Sequence, residues 1–151
     1  MSGGEALGGR VRRPQLYGGG AGDLAAVLDC SDLDRSARFW TAALGYVEEA
    51  SDADSESNSY RSLLPRDGAG IELLLQAVPE AKRAKNRLHL DLRTRDLDVE
   101  VGRVIALGAT LVTSEPTEEN GWTWHVLADP DGNELCVVRP PPTYWADREA
   151  P

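Results

Sequence analysis

The chain says the same thing twice. A strand-like run, Leu24-Ala25-Ala26-Val27-Leu28-Asp29-Cys30, leads into Asp32-Leu33-Asp34, a helical pattern and Leu44-Gly45. A second run, Arg87-Leu88-His89-Leu90-Asp91-Leu92, leads into Asp96-Leu97-Asp98, another helical pattern and Leu107-Gly108. The Asp-Leu-Asp triplets lie 64 positions apart and the Leu-Gly pairs 63. A repeat of this period is one supersecondary unit used twice.

Each helix carries its own start and stop. Asp32 and Asp96 are suited to cap, because a short carboxylate accepts from the free amides of a first helical turn. Gly45 and Gly108 suit the left-handed position beyond a helix end. Leu33, Ala37, Trp40 and Leu44 fall on one face of the first helix; Leu97, Val101, Val104 and Ile105 do so on the second. Strand patterns follow at about 46–49, 59–64 and 71–76, and again at about 110–114, 122–128 and 134–138. The predicted fold class is therefore α+β: two βαβββ modules, about 23–78 and 86–139, with curved mixed sheets around a cleft. One module is too small to close a core well, so the two should pair.

The ends read differently. Residues 1–22 hold about half of the 15 glycines and no hydrophobic period, which predicts a flexible arm. Residues 140–151 begin Pro140-Pro141-Pro142, which should continue neither sheet nor helix, although Tyr144 and Trp145 offer something to dock. The segment 51–58 is acidic and serine-rich and reads as a solvated loop. No apolar run reaches the roughly 18 residues of a membrane span, and the first residues lack a signal-peptide core, so a cytoplasmic location is expected. A formal net charge of -9 repels phosphate backbones and argues against nucleic acid. Two cysteines, Cys30 and Cys136, make neither a disulfide framework nor a zinc motif.

Strand alternation then selects polar positions. Around His89, the leucines Leu88, Leu90 and Leu92 share one face, while Arg87, His89 and Asp91 share the other. Asp29 matches the polar face of the first strand; Glu72 and Gln76 share a face of theirs, as do Glu134 and Cys136. The 64-residue offset carries Ala25 onto His89 and Glu72 onto Cys136. These four positions should converge in one cleft, with Asp29, Gln76, Asp91 and Glu134 as polar lining. Blander roles compete at each. A strand histidine also serves on plain surface, a cysteine as a small buried apolar group. Trp122 and Trp124 share a strand face and either clamp a flat ligand or pack the sheet. His125 faces the other way and receives no role. Asp129-Pro130-Asp131-Gly132-Asn133 is first of all a tight turn.

Taken together, Asp32-Leu33-Asp34-Arg35-Ser36 with Phe39-Trp40 and Leu44-Gly45, the His89-Leu90-Asp91-Leu92 strand before Asp96-Leu97, Gly108-Ala109 and the Asp129–Asn133 turn resemble the vicinal oxygen chelate superfamily. That superfamily includes glyoxalase I and the bleomycin- and fosfomycin-resistance proteins, and also extradiol dioxygenases. Lys85-Asn86-Arg87-Leu88-His89 with Asn133-Glu134-Leu135-Cys136 is similar to a bacterial glyoxalase-like subgroup. The resemblance implies metal ligands on the first and last strands of each module, at Ala25, Glu72, His89 and Cys136. Ala25 has no donor atom, and Cys136 stands where a carboxylate is usual. The remaining set, His89, Glu72 and Cys136, would favour zinc among divalent metals because a thiolate is a soft ligand. With Ala25 in place, any metal is expected to be weakly held or absent, and metal-free protein should keep its fold.

Three functions are compatible with this reading. One is an enzyme of lyase or isomerase type acting on a small oxygenated molecule, with Glu72, His89 and Glu134 as proton-transfer candidates. Another is a metal-free protein that sequesters a small aromatic or cationic compound, as bleomycin-resistance relatives do, with Trp122 and Trp124 supplying ring faces. The third is a module for partner interaction. A homodimer is expected, since short strands leave edges that pairing protects.

Overall fold

The computed structural model describes residues 24–50, 59–68 and 70–149. The N-terminal arm, the 51–58 loop and the last two residues lie outside these. Element order is β1 (Ala25–Cys30), α1 (Leu33–Leu44), β2 (Tyr46–Glu48), β3 (Tyr60–Pro65), β4 (Glu72–Ala77), β5 (Leu90–Arg93), α2 (Leu97–Ala106), β6 (Thr110–Leu111), β7 (Thr117–Glu119), β8 (Trp122–Ala128), β9 (Glu134–Arg139) and α3 (Pro142–Glu149). The first module forms a sheet in the order β1-β4-β3-β2 and the second a sheet in the order β5-β9-β8-β6, with β7 paired to β8. In each module the first and last strands run parallel and the others antiparallel. Among the described residues, no helix is long and apolar enough to cross a membrane.

The helices form where local chemistry says they should. Asp32 accepts from the Arg35 amide, and α1 ends at Gly45, whose φ of +69° is the left-handed conformation. Asp96 accepts from the Val99 amide, and Gly108 follows α2 with φ +117°. Leu33, Ala37 and Trp40 are buried as expected; on α2 the buried pair is Leu97 and Val104, and Ile105 is 40% exposed. The stripe on α2 is narrower than the sequence suggests, since Ile105 lies about 100° around the helix from Val104.

Other local expectations need correction. The strand expected from Arg87 begins only at Leu90, so Leu88 stands 74% exposed instead of sharing the inward face of Leu90 and Leu92. The proline-rich end is not structureless: it folds as α3, with Pro142 in the first turn, where a missing N–H costs nothing. An extra strand, β7, pairs Glu119 with Trp122 across the two-residue turn Asn120-Gly121, both at positive φ (50° and 81°). That dipeptide is a strong hairpin signal in any sequence.

The two modules share one apolar core, running from Leu33, Phe39, Trp40 and Leu75 in the first to Val104, Leu127, Leu135 and Val137 in the second. Polar latches join them as well. The β8–β9 turn is bent around Asp129, whose Oδ1 accepts from the amides of Asp131 (2.9 Å) and Asn133 (2.8 Å). Its Oδ2 accepts from Trp40 Nε1 on α1 at 3.0 Å. Asn133 Nδ2 donates to the Asp29 carbonyl on β1 (2.9 Å), and Asp131 Oδ1 accepts from the Ser31 amide, the Ser31 hydroxyl and Arg35. The turn that sequence treated as a local device therefore fastens module to module. On the other side, the Arg103 guanidinium donates to the Ala42 and Ala43 carbonyls at 2.9 and 2.8 Å, a cation on the negative end of α1.

A candidate ligand cavity on the second sheet

One face of the second sheet packs on α2 and buries Thr123, His125, Leu127, Leu135 and Val137. The opposite face carries the candidate site. Parallel register sets Asp91 beside Cys136 and Arg93 beside Val138. Antiparallel register then sets Val126 beside Cys136 and Trp124 beside Val138. His89, one residue before β5, stays in phase with Asp91. The result is a cavity of about 320 Å³ lined by His89, Asp91, Trp122, Trp124, Cys136 and Val138.

Three donor atoms meet on its wall. His89 Nδ1 lies 3.3 Å from Asp91 Oδ1 and 3.6 Å from Cys136 Sγ. Ligand atoms 2.0–2.3 Å from a tetrahedral zinc stand about 3.3–3.8 Å apart, so these separations fit such an ion. His89 and Asp91 are 45% and 40% exposed, whereas Cys136 is buried. Burial, helped by the nearby Asp91 charge, pushes the Cys136 thiol up to about 11. It is therefore a protonated thiol at neutral pH unless a cation displaces the proton.

Of the residues singled out in the sequence, His89, Asp91, Cys136, Trp122 and Trp124 come together here. His89 also borders a second cavity of about 200 Å³ between the modules, where Asp29 and Glu134 face it. Glu134 accepts from Lys85 Nζ at 3.1 Å, and that ammonium holds its carboxyl below the usual range. The rest lie on the first sheet. Ala25 pairs in register with Glu72, and Asp29 with Gln76. Glu72 Oε1 accepts from the Ser62 hydroxyl at 2.6 Å, and Gln76 Nε2 donates to the Tyr60 hydroxyl at 3.0 Å. The carboxylate beside His89 and Cys136 is thus Asp91, which the sequence placed only in the lining. Two further residues escaped notice. Arg93 continues the His89-Asp91 face by simple alternation and was legible; Tyr144 of α3 reaches this face through tertiary packing and was not.

Trp122 and Trp124 do not present two equivalent rings. Trp122 meets the Tyr144 ring edge-on, with centroids 5.4 Å apart, and lies beneath the Arg93 guanidinium at 5.8 Å. Trp124 lines the cavity beside Val138. His125 is buried on the opposite face, its Nδ1 3.2 Å from the Thr113 carbonyl.

Comparison with known proteins places this architecture. The chain shows 21% identity to the fosfomycin resistance protein FosX from Mesorhizobium loti, with a TM-score of 0.62 over 84% of this chain and 98% of that one. A FosX mutant from Listeria monocytogenes, complexed with Mn(II) and 1S,2S-dihydroxypropylphosphonic acid, superimposes with a TM-score of 0.65 at 17% identity, covering 85% and 98%. A glyoxalase/bleomycin resistance protein/dioxygenase family enzyme from Burkholderia phytofirmans PsJN gives 0.60 at 24% identity, covering 78% and 98%. No curated protein matches the sequence. At these identities the structures establish the fold, an α+β glyoxalase-like architecture. Residues 25–138 match the glyoxalase-like domain, so the chain belongs to that family, within the vicinal oxygen chelate superfamily.

Proposed function

We propose that the chain handles a small oxygenated molecule in the cavity of the second sheet, with a weakly held zinc ion on His89, Asp91 and Cys136. The convergence of three donors on the wall of a cavity that also holds two tryptophans carries this reading. A bound divalent ion would polarise adjacent substrate oxygens, the chemistry of a lyase or isomerase. The chain's own residues supply the rest. Trp124 and Val138 give an apolar wall, Arg93 a fixed cation, and Glu134, kept ionised by Lys85, a proton acceptor reached past His89. Glu72 is the corresponding carboxylate of the first sheet, beside Ala25. A metal-free binding protein of the bleomycin-resistance type is the second reading, favoured by the donorless Ala25 and the raised Cys136 thiol.

Zinc titration of chelator-stripped protein separates the two. One equivalent should bind and displace a proton from Cys136. Below the thiol's value of about 11, affinity should rise with pH, by about tenfold per unit where the thiol alone titrates. Protein that takes up no zinc at pH 8 leaves the metal-free reading. Stripped protein should melt as a folded domain in either case. The assembly we propose is a homodimer; light scattering that reports a monomer well above micromolar concentration would refute it.

A further inference from the structure

Helix α3 lies outside the repeat and packs on Trp122, one wall of the cavity, and on Arg93. Its half-buried residues are Tyr144 and Trp145; Thr143, Ala146, Asp147 and Arg148 are exposed. The Tyr144 hydroxyl accepts from Arg93 Nη1 at 2.7 Å, its ring meets Trp122, and the Arg93 guanidinium lies 5.3 Å from the ring centroid. Trp145 sits under the Arg95 guanidinium at 4.8 Å. Trp122 is itself a wall of the cavity, and Arg93 stands in register with Val138, another wall residue. A helix of eight residues does not persist alone in water, so α3 depends on these few contacts.

We propose that α3 is a strap across the outer end of the cavity, fastened by Tyr144 to Arg93 and Trp122, and that it lifts to admit the ligand. Opening so small a unit costs far less than unfolding the domain, because two side chains and no core residue leave their places. While α3 is down, Trp122 and Arg93 are held at the cavity end. When it lifts, both are freed, that end of the cavity widens and Cys136 becomes more reachable from solvent. That the cavity is a ligand site is the reading given above; the strap itself stands on the packing of α3, and the zinc titration tests the ligand site separately.

Alkylation by iodoacetamide reads the strap without any ligand. The full chain offers two buried cysteines: Cys136 in the cavity wall and Cys30, 2% exposed, in the core beneath the first sheet. Tyr144→Ala should speed alkylation of Cys136 by about tenfold while leaving Cys30 unchanged, as peptide mass spectrometry would show. Arg93→Ala should act in the same direction by removing the other half of the fastening. Tyr144→Phe keeps the ring and loses only the hydroxyl that accepts from Arg93, so a smaller increase is expected and the measurement survives poor folding of the alanine variant. An unchanged Cys136 rate in both Tyr144→Ala and Arg93→Ala overturns the strap. So does an equal acceleration of both cysteines, which would make α3 a support of the whole fold.

Discussion

Asp129→Ala should cost the folded protein about 3 kcal/mol and lower its melting temperature by roughly 10 °C, with the cavity residues untouched. The carboxylate is 3% exposed and accepts from Trp40 Nε1, two backbone amides and Asn133 Nδ2. Alanine leaves these donors without their acceptor, and the penalty for an orphaned buried donor exceeds the net worth of the bond it lost. The turn also loses the group around which it closes, loosening the grip of Asp131 and Asn133 on β1 and α1. Urea unfolding of Asp129→Ala, Trp40→Phe and the double variant would show it. The double variant should cost less than the two singles together, because removing both partners strands neither. A loss below about 1 kcal/mol would mean the turn is not a latch.

The same carboxyl sets a pH signature. Burial pushes it above the ordinary carboxylate range, against the pull of its donors. A folded value above the unfolded one means the native state takes up the proton first. That contribution is full below the unfolded value near 3.9 and is lost as pH rises through the raised native value. Between those two values, acidification should therefore widen the stability gap between the parent and the non-titrating Asp129→Asn.

What sequence made legible was what short-range chemistry decides. Asp32, Asp96, Gly45 and Gly108 mark helix ends because capping acts over a single turn. The repeat was legible for the same reason. Register was not. The 64-residue offset carries Ala25 onto His89 and Glu72 onto Cys136, yet while Ala25 pairs with Glu72, the residue in register with Cys136 is Asp91, two positions beyond His89. Parallel strands are joined through long crossovers, and no local rule fixes how far one slides along the other. The candidate donor set depends on that slide: His89 Nδ1 lies near Cys136 Sγ, and the carboxylate beside them is Asp91, with Glu72 on the first sheet. The latch role of Asp129 and the docking of Tyr144 both join residues far apart in the chain, so no window of sequence contains them.

His89→Ala should abolish zinc uptake while leaving stability within about 1 kcal/mol of the parent. The imidazole is 45% exposed and touches Asp91 and Cys136 at a cavity wall, so its removal opens no void in the core. Its loss leaves two donors, Asp91 and a thiol raised to about 11, and its counterpart in the repeat, Ala25, carries no donor to replace it. Affinity should fall by roughly 100-fold or more, beyond what an altered supporting contact brings about. Calorimetric titration and a thermal melt on one preparation decide the matter. If His89→Ala melts far below the parent and still binds zinc as tightly once folded, the histidine is a structural residue, and the face of the second sheet is not the site.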